Sequence, residues 1–200
     1  MPEELQTGGS RFLSDLIREN RLDEQGFKEW VFEPGMLFGA RDKWWGDRAQ
    51  RDRPHEGVDV CLYRNIAGDV IALPCGSLVP VLYDGEVVSI IADFLGRTIF
   101  VRHQQYGRDG QDLYTVYGHV NPSAGLCKGM LIRAGAVIAD IPAKSSKRSG
   151  LLPHLHISVA LISSTCDADT LGWEIMRDPA FVRLLDPLLT VAEHYDKRYL

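Results

Sequence analysis

The sequence predicts a mainly β protein, with a small antiparallel sheet or sandwich as its core and short helical additions at both ends. Three observations carry that expectation. Between about residues 55 and 162 the chain consists of short runs rich in Val, Ile and Tyr. Turn residues separate the runs at short intervals, and no helical periodicity intervenes between them. Many short strands with tight turns fold most simply as an antiparallel sheet closed on itself. The expected organisation is an N-terminal helical and wrapping segment over 1–50, a β domain over 51–165, and a helical tail over 166–200.

At the N-terminal end, Ser10 follows Gly8-Gly9 and is placed to cap a short helix. Phe12, Leu13, Leu16 and Ile17 would form its one apolar face. Residues from Phe27 to Trp45 are rich in aromatics and include two glycines, which suits a segment that wraps over the core. Adjacent Trp44 and Trp45 would pack in that core or form a groove wall. The strands follow: Ser77 to Val81, Gly85 to Ile91, Thr98 to His103, and Asp112 to Tyr117. Asp84-Gly85, Leu95-Gly96 and the stretch from Gly107 to Gly110 supply the turns. Lys128-Gly129 and Ala134-Gly135 bracket two further apolar runs, Met130 to Arg133 and Ala136 to Ile141. After Thr170 the chain reads as one or two short helices broken at Asp178-Pro179 and Asp186-Pro187, because proline lacks the donor a helix interior needs.

Composition narrows the function classes. The 200 residues carry 22 basic and 27 acidic side chains, a formal charge of −5. A nucleic-acid partner calls for a basic excess or cluster, and neither is present. The single basic concentration is Lys144, Lys147 and Arg148 in one loop, read as a solvated loop or as a contact for an acidic peptide. No apolar run reaches the length of a membrane helix, so no membrane insertion is expected. Met-Pro-Glu-Glu-Leu-Gln has neither the basic region nor the apolar run of a secretory signal. At face value that indicates the cytoplasm, or an extracytoplasmic site if an export signal was removed. Cys61, Cys75, Cys127 and Cys166 include no C-x-x-C pair, and four free, mostly buried thiols are expected.

Chemistry concentrates in the histidines. From His154 to Leu161 the chain alternates without a fault, so Leu155, Ile157, Val159 and Leu161 share one strand face and His154, His156 and Ser158 the other. One metal could take one imidazole directly while the second overhangs it; an exposed face with two histidines is the plainer alternative. In His55-Glu56-Gly57-Val58-Asp59, Gly57 opposes a regular helix and the chain enters a strand. His55 and Asp59 could curl towards one cation, both being normal zinc ligands, or could simply form a strand-start turn. His119 follows Tyr117-Gly118 at a strand end. His103 and His194 have no such setting and are expected to be structural or surface residues.

H-x-G-x-D-like spacing at His55 and Asp59, then Tyr117-Gly118-His119, then His154-Leu155-His156, resembles in its order the lysostaphin-type zinc endopeptidases, which cut peptide bonds in bacterial peptidoglycan. Gly76 to Val81, Asp84 to Val88, Leu113 to Val120, and Ala134 to Ala139 are similar to that family's strands and turns. The resemblance spans about residues 50 to 162. It implies a small antiparallel β fold, one zinc ion per chain on His55, Asp59 and His156, and two catalytic histidines, His154 and His119, that do not bind the metal. It also implies a peptide or peptidoglycan substrate. The family usually has aromatic and acidic residues after H-x-H, where this chain has Ile157 and Ser158. Two other readings are weighed against it: a non-catalytic, peptidase-like binding or regulatory protein, and a histidine phosphocarrier. The phosphocarrier has no use for Asp59 beside His55.

Overall fold

The computed structural model describes residues 10–143, 150–190 and 195–197. Helix α1 (Phe12–Glu19) comes first, and Phe12, Leu13 and Leu16 enter the main core. Ser10 Oγ accepts the Phe12 N–H, as a capping side chain would, although Arg11 is the residue that borders the helix.

The segment expected to wrap instead begins with a strand. Strand β1 (Phe27–Phe32) pairs with β3 (Leu62–Asn65), which in turn pairs with β4 (Val70–Ala72). Only beyond β1 does the chain wrap, running from a 3-10 turn at Pro34–Met36 through Trp44 and Trp45 to β2 (Val58–Val60). Cys61 marks the point where the chain leaves one sheet for the other, between β2 and β3.

Strands β5 (Leu78–Pro80), β6 (Gly85–Ala92), β7 (Arg97–Arg108), β8 (Gln111–Pro122), β9 (Leu131–Ile132), β10 (Val137–Asp140) and β11 (Leu155–Ser163) complete the predicted β region. After the four-residue helix α2 (Trp173–Met176) come β12 (Val182–Leu185) and β13 (Tyr195–Lys197). The main sheet runs β12-β11-β8-β7-β6-β9, with every pair antiparallel. The smaller sheet is β13-β1-β3-β4, in which β13 lies parallel to β1.

Both faces of the main sheet are covered, which explains why β8 and β11 are buried along nearly their whole length. Leu155, Ile157, Val159 and Leu161 point into the main core, as their alternation predicts, together with Leu113, Tyr117, Ile99 and Val101. Tyr114, Val116, Phe100, Ala160 and Ile162 occupy the opposite face, and the C-terminal Leu171, Met176 and Val182 close over them. The tail keeps a short helix before Pro179, α2, but between its two prolines it forms β12 against β11 rather than a second helix. Too few residues lie there to repay helix nucleation, whereas an open strand edge offers ladder hydrogen bonds at once. All four cysteines are free; Cys61 is buried, but Cys75 and Cys127 are exposed, contrary to the expectation of mostly buried thiols. Among the described residues no helix is long and apolar enough to cross a membrane.

Candidate metal centre

Strand pairing brings the first two histidine motifs together. His156 on β11 lies directly opposite Asp59 on β2 and, across its other edge, opposite Gly118 on β8. The pairing needs a close backbone approach at Gly57, where a Cβ atom would stand 2.2 Å from the Ile157 carbonyl oxygen. Gly118 leaves room of another kind, since a Cβ there would press on His156 and on the Trp173 ring, each at 3.3 Å. His55 precedes β2 in a loop tied at both ends to the wrapping segment: its N–H donates to Ala40 O and its carbonyl accepts from Gly39 N–H.

Three donor atoms converge at the result. His55 Nε2 is 3.1 Å from Asp59 Oδ1 and 3.0 Å from His156 Nδ1, and His156 Nδ1 is 2.9 Å from Asp59 Oδ1. Ligand atoms placed tetrahedrally at zinc's usual bond lengths stand about 3.3 Å apart, so two imidazoles and a carboxylate in this triangle fit such an ion. The far side of each ligand is held as well. His55 Nδ1 faces Leu37 O at 3.1 Å and His156 Nε2 faces Ser158 Oγ at 3.0 Å, which leaves the opposite nitrogen of each ring bare toward the triangle when those edges carry the protons. The Trp44 indole N–H donates to Asp59 Oδ2 at 2.7 Å, and Arg51, stacked on Trp45 at 4.6 Å, brings Nη2 to 3.7 Å of the same oxygen.

Burial would by itself raise the Asp59 carboxyl, but His55, His154 and His156 outweigh it and hold the group well below its ordinary value. Burial is also the main influence on His156, lowering it to about 4, and on His154, which is lowered despite Asp59 nearby. All these side chains are almost fully buried.

His154 and His119 stand beside the triangle without joining it. Their rings are 5.0 Å apart, and His119 lies 5.8 Å from the His156 ring. His154 Nδ1 faces Leu152 O at 2.8 Å, while its Nε2 is 3.9 Å from Asp59 Oδ1. His119 Nδ1 is 2.8 Å from Asp93 Oδ2, within ion-pair distance but without the geometry of a hydrogen bond. Asp93 also accepts from Thr98 Oγ1 at 2.9 Å and from the Phe94 N–H. Burial pushes its carboxyl up, but these donors and His119 hold it below its usual range.

The five residues border one cleft of about 550 Å³, whose other walls include Trp45, Arg51, Phe94, Trp173 and Arg177. Trp173 stacks edgewise on His156 and donates its N–H to Thr98, and Arg177 pairs with Glu56 at the cleft margin. Sequence reading missed Asp93, Arg51, Trp173 and Arg177, and weighed Trp44 only as packing or wall. None has a fixed spacing to a histidine, and each reaches the site by its own path through the fold. His103 sits apart, buried between Asp84 O and Thr115 Oγ1, in the structural role expected of it. Lys144, Lys147, Arg148 and His194 lie outside the described residues.

The sequence profile of peptidase family M23 matches residues 64–168, more than half of the chain. No curated protein matches the sequence. Several solved structures are similar. The catalytic domain of the antimicrobial peptidase lysostaphin from Staphylococcus simulans is 16% identical, with 85% of this chain covering 94% of that one at a TM-score of 0.43. A zinc-containing peptidase from Vibrio cholerae is 22% identical over 73% of this chain and 41% of its own, also at 0.43. Helicobacter pylori Csd3 is 21% identical over 76% of this chain at 0.43, and there this chain spans 30% of the matched protein's length.

Proposed function

We propose that this chain, which belongs to peptidase family M23, is a zinc-dependent endopeptidase that hydrolyses peptide bonds in peptidoglycan cross-links or stem peptides. The observation that carries the reading is the His55–Asp59–His156 triangle, whose sides are 2.9–3.1 Å. His55 and Asp59 precede the part of the chain that the family profile matches, so their assignment rests on the geometry alone. In this reading residues 51–165 form the peptidase unit, with 1–50 and 166–200 as additions, and each chain holds one zinc ion.

Zinc held by these residues would supply Lewis acidity, lowering the pKa of a water to about 7 and polarising a carbonyl. The chain's own groups manage the protons. With Nδ1–H on the Leu152 carbonyl, neutral His154 keeps Nε2 as a bare acceptor beside the triangle, the position of a general base. His119, its ring 5.0 Å from that of His154, when protonated on Nε2 stabilises the oxyanion that develops, and the pair returns a proton to the leaving amine. Trp45, Phe94 and Trp173 give the cleft apolar walls, while Arg51 beside Asp59 and Arg177 paired with Glu56 are the basic groups a peptide in the cleft would meet. Lys144, Lys147 and Arg148 would extend that charge; neutralising all three should raise KM for an acidic stem peptide, and an unchanged KM removes them from the substrate site.

The test is hydrolysis of purified peptidoglycan and its stem peptides, followed by mass spectrometry of the products. New amine and carboxyl termini, abolished by a chelator and restored by zinc, are the expected result. Binding of peptidoglycan by the zinc-loaded protein with no cleavage would instead establish the non-catalytic reading.

A further inference from the structure

We propose that Asp93 is a positioning residue that holds His119 in its catalytic orientation and tautomer; the proposal rests on the reading of His119 as a catalytic group. One carboxylate oxygen grips the histidine at two points. Asp93 Oδ2 lies 2.8 Å from His119 Nδ1 and accepts the His119 backbone N–H at 3.2 Å. That backbone is strained, with His119 at φ +60°, a region that non-glycine residues enter at a cost and that recurs at functional sites. The second grip offsets this strain at the residue where it arises.

Asp93 is itself fixed. Thr98 Oγ1 and the Phe94 N–H donate to it, and the Trp173 N–H donates to Thr98 Oγ1. A carboxylate against Nδ1 favours a proton there, so the neutral ring presents Nε2 bare, and it is the ring protonated at Nε2 as well that can donate to the oxyanion. No described residue hydrogen-bonds that nitrogen, and the ring lines the cleft. The carboxylate also stabilises positive charge on the ring once Nε2 takes a proton, the service an acidic residue renders to a catalytic histidine in hydrolases. The 2.8 Å contact falls short of hydrogen-bond geometry, and catalytic contacts often align only when substrate binds. Phe94 packs edgewise on His119 at 4.7 Å and limits ring rotation from the other side.

The experiment combines ring NMR with kinetics on the zinc-loaded protein. Long-range 1H–15N correlation, with His119→Gln identifying the ring signals, should show neutral His119 protonated on Nδ1. In Asp93→Ala the proton should redistribute towards Nε2, with zinc content unchanged, kcat lowered about 10- to 100-fold and KM little altered, inside the roughly 10²–10⁴-fold range of general acid–base catalysis. Asp93→Asn, which keeps the side chain's size, is the second variant should the alanine protein fail to fold, and it should lose part of the same lock. A wild-type ring protonated on Nε2, a tautomer indifferent to both substitutions, or zinc lost along with activity would overturn the proposal. Should the wild type cleave no peptidoglycan, the peptidase reading fails, while the ring tautomer still decides whether Asp93 positions His119.

Discussion

The Asp59 carboxylate divides its two oxygens between two tasks. Oδ1 faces His55 and His156, and Oδ2 takes the Trp44 indole N–H with Arg51 beyond it. A ligand oriented in this way binds a metal more tightly than one free to rotate, and loss of such an outer partner typically costs about 10- to 100-fold in affinity. Trp44→Phe should therefore weaken zinc binding by that factor in a chelator competition, with the fold unchanged. His154→Ala and His119→Ala should behave in the opposite way: zinc retained, and turnover reduced by roughly 10²–10⁴-fold. Loss of metal in either variant would contradict the division between ligands and catalytic groups. At this scale the grouping of the histidines with Asp59 was suggested by the order of three motifs and their resemblance to a family, since each motif alone also had a plainer reading. Trp44 and Asp93 belong to no such motif, since each acts from 15 and 26 residues away on a partner chosen by the fold.

At the scale of elements, the site is a line across three strands, Asp59 on β2, His156 on β11 and Gly118 on β8. The perfect alternation from His154 to Leu161 announced β11, with its core face and its histidine face, because a strand's period of two is visible in any run of this length. The strand at Val182–Leu185 was not visible. Its four residues carry no pattern that distinguishes strand from broken helix, and what decides the matter is the free edge of β11. Beta1 likewise forms because β3 lies beside it. The β2–β11 pairing yields a prediction: Gly57→Ala places a Cβ 2.2 Å from the Ile157 carbonyl oxygen. Backbone cannot yield as a side-chain tip can, so the loss should reach at least the ~1–3 kcal/mol of core overpacking. Denaturant unfolding would measure it, and zinc affinity should fall in parallel as His55 and Asp59 shift against His156.

For the whole molecule, the main sheet is covered on both faces, and buried His103 makes that packing sensitive to pH. Burial lowers His103 to about 4 against an ordinary 6.5, so the folded state holds it neutral. Stability from this group is present above pH 6.5 and is lost as pH falls from there towards 4, because the unfolded chain takes up the proton first. The shift corresponds to about 3 kcal/mol, and His103→Gln should flatten that part of the stability curve measured on metal-free protein. A curve of unchanged slope would contradict it. The mainly β architecture was legible because turn residues divide the chain so regularly; the covering of the second face by the C-terminal segment was not, because it depends on where Leu171, Met176 and Val182 meet Phe100 and Val116. The central claim is that His55, Asp59 and His156 form one zinc site. Elemental analysis of protein purified without chelators tests it most directly, with wild type beside Asp59→Ala. The account predicts about one zinc per chain in the wild type and none in the variant. A wild type that holds no zinc even after incubation with the ion, or a variant that keeps it, would contradict the account.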